Sequence, residues 1–240
     1  LAGYVVAILA LFGLLLLRFG LPIAWGVSAA AALLPPLVQH ASYPLTDSWG
    51  LALQIGAFAV AILALDRGRG WLVPWAALLL ILSFTRDTAW IPILAAIGAA
   101  VVRRRSAAAW WLAGIGVLTL VPSALLFPMP LREVLAFGLN GFQAPADPSW
   151  AFIAEHYPHA LTEYLRADGG FIRRGEWFAA AFLGGGLALL FAVRHRSWPT
   201  DLLVMRMGAL AGVAYLLAVP IFSGLRLELV LLPMAAYGLA

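Results

Sequence analysis

Long apolar runs, separated by short polar or charged turns, fill the chain from its first residue to its last. The interruptions are Arg18 to Gly20, His40 to Asp47, Asp66 to Gly70, Thr85 to Asp87, Arg103 to Ser106, Phe127 to Glu176, Arg194 to Asp201 and Ser223 to Glu228. A membrane-spanning helix needs roughly 20 apolar residues, so this pattern predicts about nine helices. The alternation typical of a β-barrel is absent. We expect an all-α, polytopic transmembrane bundle that forms a single domain over residues 1–240.

The first apolar run predicts a membrane helix rather than a signal peptide. Leu1 to Leu17 has no basic leader and no small-residue cleavage pattern. The chain starts with Leu1 rather than Met, and it begins and ends inside apolar segments. We therefore expect it to be a fragment of a longer protein.

Composition supports the membrane assignment and excludes other classes. Hydrophobic residues make up 64% of the 240 residues and charged residues only 11%, which is too few to cover the surface of a soluble domain. Soluble enzymes and nucleic-acid binders are thereby excluded, although the net charge is +4. The chain has no Cys, which excludes disulfides, thiolate metal sites and thiol catalysis.

The charges divide unequally between the two expected sides of the membrane. If the helices alternate in direction, one side holds nine Arg and two acids, whereas the other holds six Arg and nine acids. The net charges are therefore +7 and −3, which give the overall +4. The positive-inside rule predicts that the +7 side, with Arg18, Arg67 and Arg103 to Arg105, is cytoplasmic.

Two consecutive helices are unusually short. Trp71 to Phe84 and Thr88 to Val102 would each extend about 21 to 22 Å, less than the roughly 30 Å hydrocarbon core. A single helix through both segments would hold Arg86 and Asp87 near the bilayer centre, so a hairpin is the preferred interpretation. It predicts that the Thr85-Arg86-Asp87 turn lies at the floor of an external recess.

Charged residues at three expected external helix ends are candidates for binding a phosphate or diphosphate. They are Asp47, Arg86 with Asp87, and Arg226 with Glu228. An Arg in a recess of low dielectric can hold a phosphate with two parallel hydrogen bonds. The alternative is that these are solvated loop charges that set the topology and pair with one another.

Short motifs resemble those of bacterial GT-C type polytopic glycosyltransferases. The motifs are Pro44-Leu45-Thr46-Asp47 at a helix start, Thr85-Arg86-Asp87-Thr88 between two short helices, the basic turn Arg103 to Arg105, and Arg226-x-Glu228 before Pro233. In that family a similar Thr-Arg-acid-Thr turn and a late external Arg recur. The resemblance covers about Pro44 to Ala107 and, more loosely, Ser223 to Ala240.

The resemblance implies an enzyme of the bacterial inner membrane that takes a sugar from a polyprenyl-phosphate carrier on the external face. The implied partners are the lipid-linked donor, a glycan or lipid acceptor and membrane lipids, with no nucleic acid and no cofactor. Members of the family place an acidic general base on the first external loop. No such loop lies between Leu1 and Pro22, so the resemblance implies a general base upstream of Leu1.

The long external loop, residues 127–176, contains five Pro and many aromatic residues, which favour a structured segment. Ser149 to Leu165 is expected to form short amphipathic helices on the membrane, either as a lid over the substrate or as a surface anchor. The lid candidates are Glu155, His156, Tyr157 and His159. Glu155-His156-x-x-His159 is not a known metal motif and contains Pro158, so no metal site is predicted.

Glycines on the later helices are expected to be close-packing sites. They are Gly184, Gly185, Gly186, Gly208 and Gly212. Two other functions remain open: a transporter or non-catalytic assembly subunit, which would carry paired charges at mid-membrane, and a polysaccharide polymerase or ligase that uses polyprenyl diphosphate.

Overall fold

The computed structural model describes residues 1–34, 37–38, 47–126, 149–159, 162, 177–192, 198–218 and 229–240. Its helices, in chain order, are α1 (Ala2–Leu16), α2 (Leu21–Ala32), α3 (Asp47–Arg67), α4 (Leu72–Thr85), α5 (Trp90–Val102), α6 (Ser106–Leu126), α7 (150–159), α8 (Trp177–Ala192), α9 (Thr200–Ala218) and α10 (Leu232–Leu239). Single 3-10 turns at Arg69–Trp71, Asp87–Ala89 and Leu229–Leu231 precede α4, α5 and α10.

The all-helical prediction is confirmed over the described ranges, which contain no strand. Within these ranges, three helices are long and apolar enough to cross a membrane: Ser48–Arg67, Ser106–Leu126 and Thr200–Leu217. Further apolar helices, such as α1 and α2, are shorter. The membrane character of the chain is therefore supported, and the count of crossings stays a prediction.

Helix α6 shows how the outer surface differs from that of a soluble bundle. Only 22% of its most apolar 18-residue window is buried, against 61% for α3. Trp110, Leu118 and Leu125 on α6 are each more than 70% exposed. A continuous apolar outer face of this kind is suited to lipid, because lipid tails solvate it without cost.

Helix α3 lies at the centre and contacts α1, α4, α5 and α9. Its Ile55, Ala57 and Phe58 are completely buried. One buried polar side chain on α3 has a specific partner, because Gln54 Nε2 donates to the carbonyl oxygen of Val230 at 3.0 Å. That bond connects the interior of α3 to the 3-10 turn that leads into α10.

Charged side chains join the ends of several helices at one end of the bundle, which we call the basic end. Asp201, at the start of α9, pairs with Arg18 at 3.2 Å and accepts a hydrogen bond from Tyr237 of α10. Asp66, near the end of α3, pairs with Arg103 at 3.6 Å and accepts a hydrogen bond from the hydroxyl of Thr200. The basic turns expected to share one side therefore do lie together.

The turn after α5 places a second group of cations at the basic end. The backbone N–H of Arg104 donates to Val101 at 2.8 Å and that of Arg105 donates to Ala100 at 2.9 Å. These two bonds form a Schellman motif, whose left-handed position usually carries Gly. Here that position is Arg104, with φ +56°, a conformation that costs about 1–2 kcal/mol for a residue with a side chain.

Helices α8 and α10 pack through their backbones. A Cβ on Gly186 would overlap the carbonyl of Ala235, and a Cβ on Gly238 would overlap the carbonyl of Gly186. Gly208 and Gly212 of α9 are also too crowded for a Cβ, which confirms the prediction of close packing for them and for Gly186. The prediction is wrong for Gly184, which has open space around it.

The glycine run in α8 provides a matched pair of variants. Gly186→Ala should destabilise the protein by about 1–3 kcal/mol, because α8 and α10 must separate to admit a methyl group. Gly184→Ala should leave stability unchanged or raise it by up to about 1 kcal/mol through helix propensity. Thermal unfolding of the purified variants in detergent compares the two. Equal stability in both would contradict the backbone contact.

Candidate phosphate-binding site

The two short helices form the expected hairpin. Helix α4 has 14 residues and ends at Thr85, and α5 has 13 residues and begins at Trp90. Arg86 leaves the helical conformation with φ −152° and ψ 140°, while its N–H still donates to Leu82 at 2.7 Å. Both helices reach back to the basic end, where Arg103 contacts Asp66. One continuous helix is therefore excluded.

The turn between α4 and α5 is recessed in the bundle. Thr88 is 2% exposed and Ala89 is 1% exposed, although turns normally lie on the surface. The Arg86 side chain lies against Gly50 of α3, three residues after the first residue of that helix. Three residues correspond to about 4.5 Å along a helix axis, so Arg86 lies below the end of α3.

Glycine at position 50 makes room for Arg86. A Cβ there would come within 2.5 Å of Arg86 Cγ and 2.9 Å of Arg86 Nε. The half-buried arginine is thus laid along the first turns of α3, whose backbone N–H groups and dipole favour a negative charge. A guanidinium and a helix N-terminus in one place are a suitable combination for holding an anion.

The other residues of the predicted site are only partly described. Asp47 is the first residue of α3, and Asp87 begins the 3-10 turn after Arg86, so both backbones lie beside the recess. Their side chains, like Arg226 and Glu228 as a whole, lie outside the described residues. The structure therefore brings Arg86 to the helix that Asp47 begins, and the contribution of Arg226 and Glu228 stays a prediction.

The lid candidates lie on α7, which is attached to the same end of the bundle. The hydroxyl of Tyr157 donates to the carbonyl oxygen of Leu217, in the last turn of α9. Two residues earlier on α9, the ring of Tyr215 packs edge-on against Trp90, at a centroid distance of 5.7 Å. Trp90 begins α5 directly after the recessed turn, so this chain of contacts connects α7 to the candidate site.

Burial raises the pKa of the Tyr157 phenol above its usual 10.0. The protonated phenol is the hydrogen-bond donor, so it stays a donor at neutral pH. The folded protein therefore holds the phenol proton more tightly than the unfolded chain does. The contribution of this phenol to the stability of the folded state is complete below pH 10. It is lost as the pH rises through the pKa of Tyr157 in the folded protein.

The remaining lid candidates are His156, Glu155 and His159. The His156 ring stacks on Phe152 at 4.2 Å, and its Nδ1 lies 2.9 Å from the Phe152 carbonyl. Glu155 and His159 are exposed. Among the residues that the structure describes, no three His, Asp or Glu side chains lie close enough to hold a metal ion.

Comparison with known proteins adds no relative: no protein-family model, no curated protein and no solved structure matches the chain significantly. The resemblance to GT-C glycosyltransferases rests on the short sequence motifs alone.

Gly50 is the site residue that the motifs missed. Its importance depends on which helix receives the Arg86 side chain, and no local pattern encodes that contact.

The attachment of α7 can be tested by removing one oxygen atom. Tyr157→Phe removes the bond to Leu217, worth about 1 kcal/mol, and should speed amide hydrogen exchange in residues 150–159. In the unmodified protein, protection of the same amides should fall as the pH rises above 10, because the phenol ionises.

Tyr4→Phe is the matched control, because the Tyr4 hydroxyl makes the same kind of bond, 2.6 Å long, to the carbonyl of Ala32. This variant should leave exchange in residues 150–159 unchanged. If Tyr157→Phe does not change that exchange either, α7 is held by other contacts.

Proposed function

We propose that this protein is a multi-pass membrane enzyme that transfers a sugar from a polyprenyl-phosphate carrier to an acceptor on the external membrane face. The observation that carries the proposal is the recessed Arg86, which lies along Gly50 at the beginning of α3. The proposal also relies on the motifs around Arg86 that resemble GT-C glycosyltransferases. A glycan or lipid would be the acceptor.

The reaction requires stabilisation of negative charge on the carrier. As the glycosidic bond to the carrier phosphate breaks, the bonding electrons move to the phosphate, which departs with the lipid. Arg86 would stabilise that growing charge in a poorly solvated recess, where a fixed cation acts more strongly than in water. The acceptor hydroxyl would lose its proton to an acidic general base.

The placement of α7 fits a lid over this recess. Its Tyr157 is fixed to the end of α9, beside the Tyr215 and Trp90 pair that adjoins the turn. Trp150, at the beginning of α7, is 58% exposed and could rest at the headgroup level. In this proposal α7 would admit a lipid-linked donor from the membrane and then limit water at the phosphate.

The charges support one orientation in the proposed bacterial inner membrane. The basic end gathers Arg18, Arg103 and Arg105, so the positive-inside rule favours the cytoplasm for that end. Arg86 and α7 would then face the external side, where polyprenyl-phosphate sugars are presented. The long loop over residues 127–176 would lie on the same side.

Replacing Arg86 should weaken binding of the donor phosphate. Hydrogen bonds to charged groups are worth about 1.5–3 kcal/mol, so Arg86→Ala should lower affinity for a polyprenyl-phosphate sugar roughly 10- to 100-fold. Arg86→Lys keeps the charge but loses the planar guanidinium. Its donor affinity should therefore lie between those of the unmodified protein and Arg86→Ala. Donor binding to the purified protein in detergent is the measurement. Unchanged affinity in both variants would place the phosphate site elsewhere.

A second pair of variants tests position rather than charge. Gly50→Ala keeps Arg86 but displaces its side chain, and should lower donor affinity towards that of Arg86→Ala. Gly56→Ala lies on the same helix, where a Cβ would meet Leu78 at an ordinary 3.5 Å, and should bind the donor normally. Equal affinities in these two variants would argue against the Gly50 contact as part of the site.

The orientation has its own test. A cysteine introduced at Ser106, at the basic end, should be shielded from an impermeant thiol reagent in intact cells, while one at Ser149, just before α7, should react. Permeabilised cells should show both cysteines labelled, which controls for accessibility. Labelling of Ser106→Cys in intact cells would reverse the proposed orientation.

A further inference from the structure

A cavity of about 430 Å³ opens at the basic end, far from Arg86. It lies between the end of α3, the start of α4 and the turn that joins α5 to α6. Its polar lining consists of Arg69, Arg104, Arg105 and Ser106. Its apolar lining includes Leu65, Leu72, Trp111 and Leu112. Three cations thus share one concave space with an apolar wall.

The three arginines are held in place by different parts of the chain. The Schellman turn fixes Arg104 and Arg105, and Arg105 also donates to the carbonyl oxygen of Leu65 at the end of α3. The guanidinium of Arg69 lies over the Trp111 ring, 5.6 Å from its centroid. Stacking on a ring leaves the N–H groups at the edge of the guanidinium able to donate to another group.

No Asp or Glu occurs among the described residues that line the cavity. Asp66, the nearest acid along the chain, is bonded to Arg103 and Thr200, neither of which lines the cavity. Three positive charges therefore face one space without a lining carboxylate, and an anion is the occupant that their charge favours.

The position of the cavity relative to the membrane surface indicates which kind of anion it would bind. Trp110 is 78% exposed and Trp111 is 55% exposed at the beginning of α6, and exposed tryptophans mark the headgroup level of a membrane. Below them, α6 continues as the mostly exposed apolar helix described above. A ligand in the cavity would have its charged part among arginines and any apolar tails along α6.

We propose that this cavity binds the phosphate headgroup of an anionic phospholipid, with the acyl chains lying along α6. Basic pockets between helices at the cytoplasmic face suit such headgroups. A free phosphate would use the arginines but not the apolar wall. The site shares no residue with the recess at Arg86, and it does not depend on the proposed transferase activity.

Arg104 allows an unusually clean test, because its replacement should not harm the fold. Arg104→Gly removes a lining cation and at the same time relieves the left-handed backbone, so the lipid-free variant should be at least as thermally stable as the unmodified chain. Arg69→Gln is the second variant. It removes another lining cation without touching the Schellman turn.

Arg67→Gln is the matched control, because Arg67 is exposed at the same end but does not line the cavity. Native mass spectrometry of the full chain in uncharged detergent would measure binding of cardiolipin, phosphatidylglycerol and phosphatidylcholine. We expect tighter binding of the two anionic lipids than of phosphatidylcholine. Arg104→Gly and Arg69→Gln should each lower affinity for the anionic lipids about fivefold, whereas Arg67→Gln should change it less than about twofold.

Three results would overturn the proposal. Equal losses in Arg67→Gln and Arg104→Gly would indicate diffuse attraction to the basic end rather than a site. Equal binding of phosphatidylcholine would remove the need for an anion. Displacement of the lipid by millimolar inorganic phosphate, lost in Arg104→Gly, would identify a free-phosphate site instead.

Discussion

The depth of the candidate site is set by two carboxylates at the far end of the bundle. Asp66 and Asp201 form ion pairs and accept hydrogen bonds from residues at the ends of α1, α5, α9 and α10. These bonds hold the ends of the four helices level with the end of α3. Asp201 is buried, and leaving its carboxylate unpaired would be costly. From this level the 14 residues of α4 rise about 21 Å, while the 21 residues of α3 rise about 31 Å. The turn at Arg86 must therefore end below the top of α3.

Several arginines in the described part of the chain are held in different ways. Arg18 and Arg103 are paired with carboxylates, so they mainly connect helices. Arg69 and Arg206 lie over tryptophan rings, at 5.6 and 4.0 Å. Arg86 lies along the backbone of α3 beside the glycine that admits it. An all-arginine set suits these roles, because a planar guanidinium can stack, fork or lie flat where an ammonium could not.

The sequence allowed the helix ends, the common location of the basic turns and the hairpin at Arg86 to be predicted, because charge clusters and helix lengths are local properties. Gly50, the Gln54 bond to Val230 and the cavity at Arg69 could not be predicted in this way. Each depends on which helices become neighbours, and the strongly apolar sequence leaves every helix with several possible partners. The lid candidates show the same contrast between local properties and contacts across the fold. Tyr157 holds α7 in place through Leu217, a contact between distant parts of the chain.

The backbone contact between α8 and α10 also limits how these two helices can move relative to each other. Helix α10 also contacts α9 and α2. Its Gly238 can approach Gly186 only where α8 already presents a surface without side chains. A displacement of α8 would therefore be transmitted through the glycine pair to α10, whose Tyr237 bonds to Asp201 at the basic end.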